Sequence, residues 1–160
     1  MIDKSLTCCF TGHRIISNET RQIASENLEK HINKLIKKGI TTFISGGALG
    51  FDTIAAETVL KFQKGNPEIQ LILALPCIEQ DKNWRKVDKI RYQEILENAN
   101  RIIYVSEFYN PDCMQKRNRF MIDNSSYCIL YLTKMNTGTA STIKYAIEND
   151  DTELINVLSN

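Results

Sequence analysis

The chain reads as an α/β protein: a doubly wound, mainly parallel sheet flanked by helices on both faces. Two observations predict this. Short apolar or β-prone runs alternate with helical stretches of ten or more residues along the chain, the rhythm of βαβ units. Several of the runs, Ile69–Leu75 above all, are apolar nearly throughout, as strands are when a parallel sheet is covered on both faces.

The elements follow in order. Ser5–Phe10 is a β-prone run, followed by the polar "TGHR". From Asn18 to about Lys38 the period turns helical, with Ala24, Leu28, Ile32 and Leu35 on one stripe, Glu19 in the first turn and Gly39 as the stop. "ITTFIS" is the second strand. After "GGALG", Phe51, Ile54, Ala55, Thr58, Val59 and Phe62 recur at helical spacing, and Gly65 and Pro67 end the helix. "IQLILAL" is the third strand, closed by Pro76. A charged helix over about Trp84–Asn98 leads to the strand "RIIYV". A further helix starts at Pro111 with Asp112 in its first turn, then come the strand "YCILYL", the helix "TASTIKYAIEN" and a last strand, "LINVL".

At 160 residues and 18.3 kDa, residues 1–160 are expected to form a single domain, and a chain of this size buries about 68–70% of its unfolded surface. The net charge of +1 argues against a generalised polyanion binder. No run reaches the ~18 apolar residues a membrane span needs, and the first residues lack the apolar core of a signal peptide. Five cysteines without CxxC spacing read as reduced core thiols of a cytoplasmic protein. Two histidines and no clustered ligands leave no metal site to expect. Nothing in the sequence calls for a cofactor.

The glycines of "ISGGALGFD" stand where a strand feeds a helix. In an open α/β sheet ligands bind beyond the carboxyl ends of the strands, near the point where strand order reverses, and a helix N-terminus there favours an anion. Gly46 and Gly47 are suited to positive φ and close approach of a ligand, and Gly50 to tight helix–strand packing. The spacing is neither GxGxxG nor GxxxxGK[ST], so a plain tight turn explains the glycines alone as well as a phosphate site does. Two further loops share their character: Thr11, Gly12, His13 and Arg14 after the first strand, and Asn136, Thr137, Gly138 and Thr139 after the fifth. The candidate ligand site therefore combines these eight residues with Ser45, Gly46, Gly47, Gly50 and Asp52, and with Arg117 as a second cation beside Arg14. Asp52 suits a ribose hydroxyl or the helix dipole. His13 is a general base or simply a hydrogen-bonding loop residue. Trp84, Phe108 and Tyr109 are stacking candidates, or ordinary rim. Valine at Gly47 is expected to fill the crevice and weaken binding sharply, with less loss of fold than a core truncation would cause.

The blocks "CCFTGHR", "SGGALGFDTIAAE", "PCIEQDKNW", "CMQKRNRFMIDNS" and "NTGTASTIKYA", in this order from about Leu6 to Ala146, resemble the SLOG superfamily and, within it, the bacterial YpsA-like branch. The resemblance implies a Rossmann-like fold and a nucleotide-derived ligand at the glycine loop. More distant members are the Lonely Guy phosphoribohydrolases and the single-strand-binding DNA-processing protein DprA. The phosphoribohydrolases carry P-G-G-x-G-T-x-x-E at the last loop, with a catalytic glutamate. Aligned on Gly138-Thr139, this chain has Thr142 in place of that glutamate and Lys134, Met135 and Asn136 in place of Pro-Gly-Gly, while the matching arginine survives as Arg117. Thr137 replaces a glycine, and Ser126 an aspartate, usual in the nearer branch.

The expectation is a cytoplasmic protein that binds or senses a small nucleotide-like phosphate ligand, without catalysis. A nucleoside 5′-monophosphate N-glycosidase using Asp52 or Glu57 is the alternative. Single-stranded nucleic acid, kept in view by "NWRKVDKIR" and "QKRNR", is a less favoured partner. No membrane partner is expected, and a homo-oligomer stays open.

Overall fold

The six apolar runs form six strands of one sheet: β1 (Thr7–Gly12), β2 (Thr42–Ser45), β3 (Gln70–Leu75), β4 (Arg101–Tyr104), β5 (Tyr127–Tyr131) and β6 (Glu153–Asn156). Between them lie α1 (Asn18–Lys37), α2 (Phe51–Gln63), α3 (Lys86–Asn98), α4 (Cys113–Asp123) and α5 (Gly138–Asn149). The structure is a computed structural model and describes residues 1–135, 137–149 and 151–159.

The strand order is β4-β3-β2-β1-β5-β6, and every pairing is parallel. The chain steps outward from β1 to β4, then returns to lay β5 against the other side of β1. Alternation along each strand feeds two cores. Cys8, Phe10, Phe43, Leu71, Leu73, Ile129 and Tyr131 meet the apolar stripes of α1, α2 and α3 on one face. Cys9, Ile44, Ile72, Ala74 and Cys128 meet Met121 and Ile122 of α4 and Ala146 of α5 on the other. The sheet is thus doubly wound and Rossmann-like. Its one reversal of direction falls between β1 and β5, whose residues Cys9 and Cys128 stand in register.

Local signals set most boundaries. The Ser17 side chain accepts from the Thr20 N–H to open α1. Gly39, at φ 99, closes it: the Ile40 N–H donates to the Leu35 carbonyl and the Gly39 N–H to that of Ile36, a Schellman arrangement. Three details depart from the sequence expectation. Ser5 and Leu6 belong to a 3-10 turn (Lys4–Leu6) held by the Asp3 side chain. Trp84 precedes α3, with its ring edge-on to Tyr92 at 5.0 Å. Pro111 and Asp112 form a turn just ahead of α4. All five cysteines are buried, and none forms a disulfide among the described residues. No helix among them is long and apolar enough to cross a membrane.

Candidate functional site

Where strand order reverses, the loop after β1 turns toward one face of the sheet and the loop after β5 toward the other, and a crevice opens between them. Here it is a cleft of about 670 Å³, within the ~300–1,000 Å³ usual for small-molecule sites. Its floor is the end of β1, where Thr11 is buried and lies on the α4 side of the strand. The N-terminal ends of α2 and α5 form two walls and the first turn of α1 a third. The fourth is the α4 stripe of Met114, Arg117, Asn118 and Met121.

Beside this cleft the β2–α2 glycine loop is packed solid. A Cβ at Gly46 would lie 2.6 Å from Arg117 Nη1 and 2.7 Å from Asp52 Oδ2. One at Gly47 would lie 2.7 Å from Leu75 Cδ2, on the side of Tyr92 and Gln80. One at Gly50 would collide with the Arg14 and His13 carbonyls. Gly47 and Gly50 have positive φ (65 and 79); Gly46 does not. Hydrogen bonds within the loop fix its shape. Gly47 N–H donates to Ser45 Oγ (3.2 Å), Ser45 Oγ–H to the Asp52 carbonyl (2.9 Å), and Ala48 N–H to Asp52 Oδ2 (3.3 Å). Phe51 N–H, in the first turn of α2, donates to the His13 carbonyl. The glycines therefore admit protein against protein. The expectation that Gly46 and Gly47 open the backbone to a ligand, and that valine at Gly47 fills the crevice, is corrected: that methyl would enter the packing behind the loop. Gly50 packs tightly, as its position suggested, against the backbone that follows β1, and Gly12 adds a second close helix–strand contact, where a Cβ would meet Phe51 atoms at 2.5 Å.

Arg117 is buried and reaches back into this loop. Its Nη1 donates to the Gly46 carbonyl (2.6 Å) and the Ala74 carbonyl (3.4 Å), and its Nε to Asn118 Oδ1 (2.7 Å). Asp52 lies across Gly46 from it, also buried. Burial pushes the Asp52 carboxyl up to about 6, although Arg117, the Ala48 N–H and Arg14 all pull it down. Burial likewise lowers the Arg117 guanidinium, against the pull of Asp52. Desolvation outweighs the attraction on both partners. The cleft thus carries a carboxyl that changes charge near neutrality, beside a fixed cation.

His13 links the two loops of the crevice. Its Nε2 accepts from the Thr133 N–H (2.8 Å) and the Lys134 N–H (3.2 Å), and its ring stands edge-on to Tyr131 at 5.7 Å. Accepting two N–H bonds requires the neutral ring protonated on Nδ1. Burial, followed by the charge of Lys134, lowers its pKa from 6.5. Its place is that of a strut between loops.

Of the residues singled out from sequence, Thr11, Gly12, His13, Arg14, Asp52, Arg117, Thr137, Gly138 and Thr139 line the cleft. Ser45, Gly46 and Gly47 lie beneath it, and Gly50 faces a smaller cavity beyond the β1–α1 loop. Asn136 lies outside the described residues. Glu57 is removed from the candidate carboxylates, because it is ion-paired with Arg91 on the α2–α3 surface. Phe108 and Tyr109 are exposed outside the cleft, and Trp84 packs on Tyr92. Ser126 sits at the opposite end of β5, with its hydroxyl on the Thr7 carbonyl. Thr142 bonds the Gly138 carbonyl (2.9 Å) and lies in the groove between α4 and α5.

Sequence reasoning missed Glu19, Thr20 and Tyr131. Tyr131 Oη and Thr20 Oγ1 are 2.7 Å apart, as are Thr20 Oγ1 and Ser17 Oγ, a chain of hydroxyls along the rim. It also missed Met114 and Asn118, for which the signal was present: with Arg117 and Met121 they repeat at i, i+3, i+4, i+7.

Comparison with known proteins agrees with this fold. The YpsA model, described as the YspA SLOG family, matches residues 10–157. The uncharacterized SPbeta prophage-derived protein YoqJ of Bacillus subtilis is 35% identical over 144 residues, covering 82% of this chain and 84% of YoqJ. Among solved structures, DNA processing protein A (DprA) of Streptococcus pneumoniae superposes with a TM-score of 0.67 at 19% identity, over 96% of this chain and 50% of that one. DprA of Helicobacter pylori, described for its single-stranded DNA binding mode, gives 0.65 at 24% identity, over 94% and 64%. The chain therefore spans less than two thirds of either DprA, and at these identities the likeness is one of fold. The family match covers nearly the whole chain and includes the strands and loops that build the cleft: this protein is a member of the YspA SLOG family.

Proposed function

We propose that the cleft binds a nucleotide or nucleotide-derived compound through its phosphate, and holds it without breaking a bond. The observation that carries this reading is the pairing, across one crevice, of an open helix N-terminus with a buried carboxyl. At the start of α5 an added Cβ on Gly138 would meet nothing within 4 Å, so the backbone there is accessible to an anion. Thr137 Oγ1 accepts from the Ala140 N–H (3.2 Å) and holds the turn in shape. Lys134 and Arg14 flank it as cations. Asp52, once ionised, accepts hydroxyls of a ribose, and Met114 and Met121 offer apolar wall.

Calorimetry or thermal shift with AMP, ADP-ribose and nucleotide sugars tests the reading. A ligand at a hundredfold over its dissociation constant stabilises by about 2.7 kcal/mol. Saturable binding that weakens on Asp52→Asn supports it; no response to any of these compounds removes it.

One observation favours a hydrolytic second reading. A carboxyl near 6 is poised for general acid–base work at neutral pH, so Asp52 would stand in for the glutamate replaced by Thr142. Because each such electrostatic or acid–base contribution is worth ~10²–10⁴-fold in rate, the expected release of base from AMP is near background. Turnover abolished by Asp52→Asn would establish the hydrolase instead. The likeness to DprA supports testing a single-stranded oligonucleotide as well; an affinity that falls steeply with salt would favour that partner.

A further inference from the structure

On the far side of the β1–α1 loop from the cleft lies a smaller cavity of about 260 Å³. Four arginines line it: Arg14 from the loop, Arg21 from α1, Arg85 at the N-cap of α3 and Arg91 within α3. Asp88 is the one carboxylate on its wall among the described residues. Arg85 Nε donates to Asp88 Oδ2 (3.0 Å), Arg21 Nη2 to the Ile16 carbonyl (3.2 Å), and Arg91 to Glu57. A guanidinium has five N–H donors, so each of these retains several. The remaining wall is the N-terminus of α2, where Leu49, Gly50 and Thr53 border the cavity and the N-cap Gly50 has no side-chain oxygen to offer. Four guanidinium groups thus line one small volume beside a helix N-terminus, and after the pairing of Arg85 with Asp88 and of Arg91 with Glu57 an excess of two positive charges remains. Mutually repelling cations held together in this way are a matching surface for an oxyanion, which guanidinium groups bind through paired N–H bonds.

We propose that this cavity is a second oxyanion site that takes a phosphoryl group. It shares Arg14 and Ile15 with the main cleft. The group can therefore come from a free phosphate, or from the distal end of a ligand whose body lies in the cleft and crosses at Ile15. Only this second source rests on the nucleotide reading of the cleft.

The test follows the arginine Nε–H signals of the isotope-labelled protein during titration with inorganic phosphate at low ionic strength. Arg101, exposed at the start of β4, serves as the internal reference. Arg85 and Arg91 are expected to saturate at a concentration at least tenfold below that for Arg101. Arg85→Gln with Arg91→Gln should abolish saturation at the remaining Arg21 signal. Asp88→Asn, which removes the one carboxylate on the wall among the described residues, should tighten phosphate severalfold, a gain that no structural role would produce. Responses no tighter than that of Arg101, or unmoved by Asp88→Asn, overturn the site. Comparing AMP with ATP separates the sources. ATP binding at least tenfold tighter, with the advantage erased in the double glutamine variant, assigns the group to the cleft's own ligand. Equal nucleotide affinities, with phosphate still binding beside saturating AMP, assign it to a free anion. If neither nucleotide binds, the reading of the cleft fails, and the phosphate titration still decides the arginine site.

Discussion

The β2–α2 and β5–α5 loops look alike in sequence, each a run of small residues feeding a helix at the same edge of the sheet, yet they are put to opposite uses. In the first, every glycine is filled against: a side chain at Gly46, Gly47 or Gly50 would strike Arg117 and Asp52, Leu75, or the Arg14 backbone. In the second, a side chain at Gly138 would meet nothing within 4 Å. Glycine thus marks a close approach in one loop and open space in the other. The first loop is a keystone that positions Asp52 and Arg117; the second is the accessible rim.

The largest effect that would break this comparison is Gly50→Ala. It forces a side chain into backbone strain worth about 1–3 kcal/mol and into a collision worth about 1–3 more. Denaturant unfolding should show a loss of about 3 kcal/mol or more. Gly47→Val belongs with it, as a fold defect more than a binding one; if either variant is as stable as the parent, the loop is not packed as described.

Asp52→Asn sharpens the comparison in the other direction. A carboxyl raised from 3.8 to about 6 contributes stability that is present below pH 3.8 and lost as pH rises through 6. The neutral isostere should therefore raise the stability of the unliganded protein above pH 6 by up to about 3 kcal/mol, with the difference vanishing below about pH 4, while ligand affinity falls. Thermal melts across pH 4–8 read this directly, and an Asn variant less stable at pH 7.5 would refute the assigned charge state.

A smaller effect is expected of His13→Ala. Losing the acceptor for two N–H groups and the edge-on contact with Tyr131 should cost about 1–2 kcal/mol, measured by urea denaturation. Because its pKa is lowered from 6.5, the wild-type advantage should be full above pH 6.5 and disappear as pH falls through the depressed value. The smallest is Gly138→Ala, within about 0.5 kcal/mol of the parent in stability but weaker in ligand binding by calorimetry. Equal losses at Gly50 and Gly138 would erase the distinction between the loops.

Much of this was legible in the sequence. The helix of Asn18–Lys37 was visible in its stripe of Ala24, Leu28, Ile32 and Leu35, because burial of one face imposes the period. The doubly covered sheet was visible in Leu71–Leu75, five consecutive apolar residues whose side chains alternate between the two faces. That "TGHR", "SGGALG" and "NTGT" share one edge of the sheet followed from parallel strands, since each loop succeeds a strand running the same way. The role of Glu57 was not legible: its helix and spacing are right, and only the approach of Arg91 from α3 places it outside the cleft.

The sequence by itself determined which segments become strands and helices, their direction, and hence the edge on which the loops gather. These depend on local propensity and on a periodic apolar pattern read within a few turns. Only the tertiary structure decided what each loop touches. Arg117 arrives at Gly46 from a helix on the opposite face, and Arg14 lays its backbone on Gly50 from the neighbouring strand's loop. Contacts and desolvation of this kind depend on groups distant along the chain. They separate a glycine that admits protein from one that leaves room, and they bring a surface-type aspartate to a charge state near neutrality.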